Sequence, residues 1–527
     1  MKKKLSLIYI FFILLKHCLN NSFNKSNKNS TYGIEIIKSN FLNIVKNTNE
    51  ENKSNNNIKE NYLFNLKNFE DNDSTIINHK YTNTSKKHFT YTEFCEEDKD
   101  CNSLNYCINK ECYHAGIFPL SFRELLGITC LIIGLVFSTA VGMGGGGITL
   151  PILILILNFY SHQAIPLSKA IIFSNSLIGL IMHITQRHPN KKSITIEYNL
   201  IMLAVPNLLL GTTVGVNLNN IINGTLLLIV LSIFLLLTTF KMIKNTIIFI
   251  NKEQNVTTES KKLVINEEMK DKSNYTSNND TNYISDRLKS QEKEDNNIFP
   301  VKKILLIALS YATFLVFILI NLSKFGKNHF GLDKCKFNYW IVYALFSFIL
   351  LCICYISSKN LLYQHKLRID IGYNFIESDL NWNSSLIFKI IVISFLIGIL
   401  SGAVGLGGGA LLSPFFLELG INPIVATHTS NFLVVFTSSS TIIQFYLLDM
   451  IVLDYAVIVW VLPILSAIVG VLSINYIIKK TNKEYPLFII ASIVLLFASI
   501  GMISYICFKI SYTENISDLL LINKFCN

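Results

Sequence analysis

Two glycine-rich runs are the residues of this chain best placed to do chemistry. Residues 141–151 read VGMGGGGITLP and residues 404–414 read VGLGGGALLSP, so Val141 matches Val404, Gly142 matches Gly405 and Pro151 matches Pro414 at an offset of 263. Further on, Glu197-Tyr198 matches Asp454-Tyr455 and Pro206 matches Pro463, both at an offset of 257. A lone glycine run arises readily by chance. One followed at fixed distances by a proline, an acidic–Tyr pair and a second proline marks an internal repeat. Each glycine costs a helix about 1 kcal/mol relative to alanine, so Gly144, Gly145, Gly146 and Gly147, and again Gly407, Gly408 and Gly409, predict non-helical breaks. Such backbone survives in a bilayer only where protein buries it or it lines a wet cavity, and glycine lets it approach a ligand or adopt φ > 0. A helix restarting at Ile148 and at Leu411 would aim free N–H groups and a positive dipole end at each break, which suits an anion. Helix packing through small residues, the alternative, wants them four apart rather than consecutive.

Polar side chains follow each run: Ser168, Ser174, Asn175 and Ser176 in the first copy, Thr427, Thr429, Ser430 and Asn431 in the second. Together with the glycines, Ser168, Ser174, Asn175, Thr429, Ser430 and Asn431 are expected to bind substrate; the competing use of such groups is interhelical hydrogen bonding. Lys169 stands near the start of a span, where a charge at full depth costs about 2.5–3.5 kcal/mol; it either snorkels to the interface or serves as a counter-ion. His428 could couple transport to pH or be a buried neutral histidine. No metal, cofactor or catalytic motif accompanies them: there is no H-E-x-x-H, nucleophile elbow or P-loop.

These residues need membrane helices to hold them. Of 527 residues 51% are hydrophobic and only 15% charged, with mean hydropathy +0.42, whereas a soluble domain is about a quarter charged. Polar residues concentrate in 21–115 and 251–300, leaving runs long enough to cross a bilayer at about 20 residues each. Helices are expected near 124–141, 148–159, 165–186, 197–217, 224–245, 302–322, 338–357, 385–403, 411–421, 425–447, 454–477 and 486–508. The net charge of +11 resides in polar tails and beside apolar runs, the pattern of cytoplasmic anchoring and not of a nucleic-acid-binding face.

The expected organisation follows. Lys2-Lys3-Lys4 and the apolar run Leu5–Leu15 make residues 1–20 a signal peptide or signal anchor. Residues 21–90 form a disordered Asn/Lys-rich extracytosolic segment, 91–119 a cysteine segment, 120–250 the first transmembrane repeat, 251–300 a polar cytosolic loop, 301–384 two linking helices and a loop, 385–510 the second repeat and 511–527 a tail. Cys95, Cys101, Cys107 and Cys112 lie within 18 positions behind the signal. They read as two disulfides with three possible connectivities, because the close C-x2-C pair of a zinc site is missing.

With the cysteine segment outside and every segment crossing, the inside ends carry Arg187, Lys191, Lys192, Lys302, Lys303 and Lys479–Lys480, while the outside loops 160–164, 218–223 and 448–453 carry no Lys or Arg. Loop 323–337, with four lysines, is the exception. Seven spans separate the two repeat starts, and an odd number inverts the second copy. The fold expected is an all-α polytopic membrane protein of ten to twelve transmembrane segments, in two inverted repeats with glycine-interrupted helices.

The VGxGGG-x4-P motif in both halves, with the Tyr…Pro helix after each, resembles the sulfite exporter TauE/SafE family of membrane permeases over about residues 120–510, apart from the polar insert. The cysteine segment leading into Phe118-Pro119-Leu120 is similar to the N-terminal extension of eukaryotic members. The resemblance implies secondary transport of sulfite, sulfonate or a related organosulfur anion, coupled to protons or sodium, with Gly144–Gly147 and Gly407–Gly409 at the site. Ala410 in place of a fourth glycine, and the insert, depart from strict symmetry. The partners expected are a small anion, the lipid bilayer of a secretory-pathway or plasma membrane, and a coupling ion. Two rivals stand beside this reading. One is a channel using exposed glycine carbonyls; the other is a receptor or scaffold working through the cysteine segment.

Overall fold

Each of the twelve apolar segments forms a helix: α1 (Phe122–Ala140), α2 (Gly146–Leu155), α3 (Ser161–His183), α4 (Tyr198–Ile221), α5 (Gly224–Leu263), α6 (Val301–Leu322), α7 (Phe337–Asp370), α8 (Ser384–Val404), α9 (Gly409–Glu418), α10 (Pro423–Leu447), α11 (Ala456–Thr481) and α12 (Tyr485–Tyr512). The computed structural model describes residues 97–512 except 102–104, 109–110, 115–120, 188–192, 264–296, 323–335, 374, 376–378, 449, 452–454 and 482–484. The signal segment, the tract 21–90, Cys95 and the tail from 513 lie outside the described residues.

Local sequence sets the helix ends. Ser121 and Glu124 form a capping box at the start of α1, the Glu124 amide donating to Ser121 Oγ and the Ser121 amide to Glu124 Oε2 (2.7 Å). Helices α5 and α7 run to Leu263 and Asp370, past the expected ends at 245 and 357. Residues 251–263 of the expected polar loop are therefore helix, because no glycine or proline occurs between Gly224 and Pro300 to stop it. Helix α7 stops where Gly372 (φ +68°) allows the Gly372 and Tyr373 amides to turn back onto the Ile369 and Arg368 carbonyls.

Among the described residues eight helices, α1, α3 to α8 and α11, are long and apolar enough to cross a membrane. Their outer faces carry exposed Leu305, Leu309 and Val316 on α6 and Phe348 and Leu351 on α7, the surface a lipid solvent requires. Helices α2 and α9 have 10 residues each, about 15 Å, which is half of a hydrocarbon core about 30 Å thick. The expectation that every segment crosses is therefore corrected. Helix α2 runs back along α1, with Ile148 against Gly134 and Leu157 against Gly127, so the pair dips to its glycine break and returns.

The contacts of the loops distinguish the two ends of the bundle. At one end the cysteine segment meets the α2–α3 connection and the residue preceding α11: His114 bonds Tyr455 Oη and the Leu157 carbonyl (both 2.7 Å), and Arg123 donates to the Ile156 carbonyl (2.6 Å). At the other end Ser193–Asn199, Pro300–Lys303, Leu361–Arg368, Asp379–Trp382 and Ile421–Val425 all contribute to one cleft. Helix α1 starts at the first end and α8 at the second. The two halves are inverted.

Contacts obey the same two-fold relation. Helix α8 packs along α4 while its counterpart α1 packs along α11; α3 meets α10; α3–α11 pairs with α4–α10. The α4–α8 seam is built from Gly211 and Gly215 facing Gly398 and Gly402: a Cβ on Gly402 would lie 2.6 Å from the Thr212 carbonyl oxygen, and one on Gly398 2.5 Å from that of Leu208. In the cysteine segment, strands β1 (Asn105–Ile108) and β2 (Glu111–His114) pair antiparallel with Cys107 opposite Cys112, a small hairpin that the all-helix expectation did not include. Cys101 and Cys112 form a disulfide, Cα atoms 5.7 Å apart, and Cys107 is disulfide-bonded as well. Such cross-links supply order where a core is too small to do so.

Candidate functional site

The two glycine breaks have the same backbone conformation. Gly142, Gly144 and Gly145 take φ of +71°, +67° and +100°; Gly405, Gly407 and Gly408, their partners at the offset of 263, take +83°, +71° and +78°. Side chains at these φ values cost roughly 1–2 kcal/mol per residue, which explains glycine at each. Helices restart at Gly146 and Gly409, two residues before the expected starts, with Gly145 and Gly408 as N-caps. Gly146, Gly147 and Gly409 are thus helical and not part of the break itself.

The breaks touch each other. A Cβ on Gly146 would run into the Leu406 carbonyl, and one on its counterpart Gly409 would lie 2.7 Å from the carbonyl oxygen of Met143, the counterpart of Leu406. The two loops therefore cross at the pseudo-two-fold axis, backbone on backbone, with Met143 and Leu406 each 1% exposed.

Hydroxyl groups cap the carbonyl oxygens there. Ser430 Oγ donates to Gly142 (2.9 Å), Thr437 Oγ1 to Gly407 (2.9 Å), and Ser168 Oγ and Ser413 Oγ reach Gly405 and Val141 (3.4 Å each). The amides have no such partners: those of Gly144–Gly147 and Gly407–Ala410 donate to no acceptor among the described residues. These residues are all buried, and the first N–H groups of a helix have no intrahelical acceptor. The N-terminal ends of α2 and α9 therefore each present a positive dipole end to the breaks. Two buried side-chain donors also make no hydrogen bond: Asn175 Nδ2, close to Gly145, and Ser176 Oγ, close to Gly144. Thr139 Oγ1 donates to Asn175 Oδ1 (2.8 Å), which leaves the amide nitrogen of Asn175 as the group near Gly145.

Not every residue singled out from the sequence reaches the breaks. Ser168, Asn175 and Ser430 do; Asn431 donates to the Ser176 carbonyl (3.1 Å) and leaves its own Oδ1 unpartnered. Ser174 bonds back to Ala170 within α3. Thr429 accepts from the Glu197 amide, facing the loop before α4. His428 bonds Thr195 Oγ1 (2.8 Å) and stacks on His183 with ring centroids 3.9 Å apart, toward the end that carries the cleft. Lys169 is wholly buried, and its Nζ donates to Ser401 Oγ (2.9 Å). Sequence reasoning missed Thr437, His183 and the pair Ser138 and Ser401. The last pair was findable, since STAVG and SGAVG precede the two glycine runs at the same offset.

The model of the sulfite exporter TauE/SafE family matches residues 126–275 and 331–502, more than half of the chain. Three relatives from Arabidopsis thaliana bear that family name. Family protein 3 is 27% identical over 72% of this chain and 78% of its own length; family protein 5 is 25% identical over 68% and 77%; family protein 2 is 27% identical over 70% and 80%. No solved structure matches. A family match spanning both inverted repeats, and relatives covering most of the membrane region, place the glycine-broken bundle among known transporters: the chain belongs to the sulfite exporter TauE/SafE family of membrane proteins.

Proposed function

We propose that the protein is a secondary transporter of a small anion, of the sulfite, sulfonate or related organosulfur class, which it binds at the two crossed glycine breaks. The observation that carries this reading is the division of labour at the breaks: Ser and Thr hydroxyls cap the carbonyls while the amides of two half-helices stay free. Anions are bound by such amides at the positive ends of half-helices. A cation filter would need the carbonyls free, which weighs against the channel reading. The scaffold reading gives no reason for two matched breaks.

Inverted repeats that meet at a fixed site fit alternating access, in which one half rocks against the other. A proton or sodium gradient is the driving force we propose, with residues 91–119 on the extracytosolic side of a secretory-pathway or plasma membrane. The test is uptake of radiolabelled sulfite, sulfate, thiosulfate and a small sulfonate into proteoliposomes of the full chain, with and without pH and sodium gradients. Uptake of none of them above empty liposomes sinks the reading.

A further inference from the structure

Lys169 has no part in the site as drawn so far, yet it is the buried cation nearest to it. It lies on α3 with 0% exposure. Helices α1 to α4 and α8 to α11 contain only two acidic residues, Glu124 and Glu418. Glu124 caps the start of α1, and Glu418, at the far end of α9, pairs with Lys241. The Lys169 ammonium therefore has no carboxylate partner among the described residues, and its one hydrogen bond there goes to the neutral Ser401 hydroxyl.

Its position is tied to the second break. The Ser401 carbonyl accepts the Gly405 amide (3.2 Å), Ser168 reaches the Gly405 carbonyl, and Ile172 lies 2.8 Å from where a Cβ on Gly407 would be. The lysine head thus sits at Ser401, one helical turn before Gly405. The two-fold pairs Ser168–Gly405 and Ser430–Gly142 match Ser168 with Ser430, which gives Asn431 at the corresponding position of the second repeat, so this charge stands on one side of the two-fold axis only. A lone buried charge is costly and is kept where function uses it. Nothing among the described residues offsets an ammonium there, and a bound anion would.

We propose that Lys169 is the fixed counter-charge of the transported anion, holding a single anion off the two-fold axis beside Gly405–Gly408. This rests on the anion-transport reading and adds to it the position and charge partner of the bound ion.

The test combines sulfite uptake in proteoliposomes with thermal unfolding in detergent, for the wild-type chain and for Lys169→Met, Lys169→Gln and Lys169→Arg. Hydrogen bonds to charged groups are worth enough that losing the cation should raise the KM for sulfite roughly 10- to 100-fold. With no sulfite present, the Met variant should unfold at a higher temperature than wild type, since an uncompensated buried charge is gone. Sulfite should raise the unfolding temperature of wild type and Arg, and of neither neutral variant. A lysine that merely packs against Ser401 would give no such opposition of sign. If Met or Gln keeps the wild-type KM and the sulfite-dependent shift, the counter-charge is refuted while anion transport stands. If the wild type itself neither takes up nor is stabilised by any of the four anions, the transport reading falls first.

Discussion

Alanine scanning at the crossing of the two breaks should give opposite results at neighbouring glycines. Gly147 is helical, and a Cβ there meets side chains alone, the methyl end of Leu495 at 2.6 Å and Leu235 and Ala410 at ordinary contact; the second repeat already has Ala410 at that position. Gly147→Ala should therefore be neutral or gain up to about 1 kcal/mol of helix propensity. Gly146 and Gly409 differ because their neighbours are backbone. A Cβ at Gly409 falls 2.7 and 2.8 Å from the Met143 carbonyl oxygen and carbon, and one at Gly146 falls closer still to Leu406. Neither loop can yield easily, since each is fixed by three glycines at positive φ and by hydroxyls on its carbonyls. Overpacking of this kind costs roughly 1–3 kcal/mol, and Gly146→Ala should lie at or above the upper end. Both substitutions spread the amides that face the anion, so sulfite uptake per molecule at the membrane should fall at least about tenfold, the factor corresponding to 1.4 kcal/mol. The double variant should cost less than the sum of the singles, because the loops need separating only once. Uptake, membrane abundance and thermal unfolding are measured together for the three single variants and the double. If Gly146→Ala and Gly409→Ala behave like Gly147→Ala, the loops do not cross backbone on backbone, and the site loses its geometry.

Other perturbations probe other parts. Gly398→Leu should prevent the chain from accumulating in membranes, since α8 cannot then close on the Leu208 carbonyl and Gly211; normal abundance would refute the glycine seam. Ser430→Ala should destabilise by about 1–3 kcal/mol, because it removes the hydroxyl on the buried Gly142 carbonyl; an unchanged unfolding temperature would count against that cap. Non-reduced peptide mapping should recover a Cys101–Cys112 cross-link, and finding both thiols free would contradict it. Epitope tags near residues 60 and 275 should label from opposite faces of intact membranes, and labelling from one face sinks the inverted topology.

Much of the bundle is legible in the chain because membrane helices announce themselves by length and hydropathy. All twelve apolar segments became helices, and the identity of the two glycine runs carried over into identical φ patterns. The misplaced helix ends have a local cause: apolar periodicity stops at the membrane surface, whereas α5 and α7 continue beyond it, α7 as far as Gly372. The crossing assignment of α2 and α9 failed because hydropathy reports burial in lipid or in protein alike. Half-helices enclosed by α1, α3, α5 and α10 read the same as short spans.

Site residues divide along the same line. Glycine, serine and asparagine beside a helix break could be named from the repeat, since residue type and spacing alone fix which backbone must be irregular and which groups can donate. Which of them face the break is a matter of helix rotation, and one residue of rotation turns a side chain by about 100°. Ser430 therefore reaches Gly142 while its neighbour Thr429 faces the loop before α4. The stacking of His183 on His428, and the contact of Lys169 with Ser401, join residues far apart in sequence. The sequence by itself determined the inverted halves, the breaks and the kinds of donor beside them. Only the tertiary structure decided that the breaks cross at one axis, that carbonyls are capped while amides stay free, and that one lysine lies there with a serine and no carboxylate among the described residues as its partner, because each depends on how helices distant in the chain are rotated and packed.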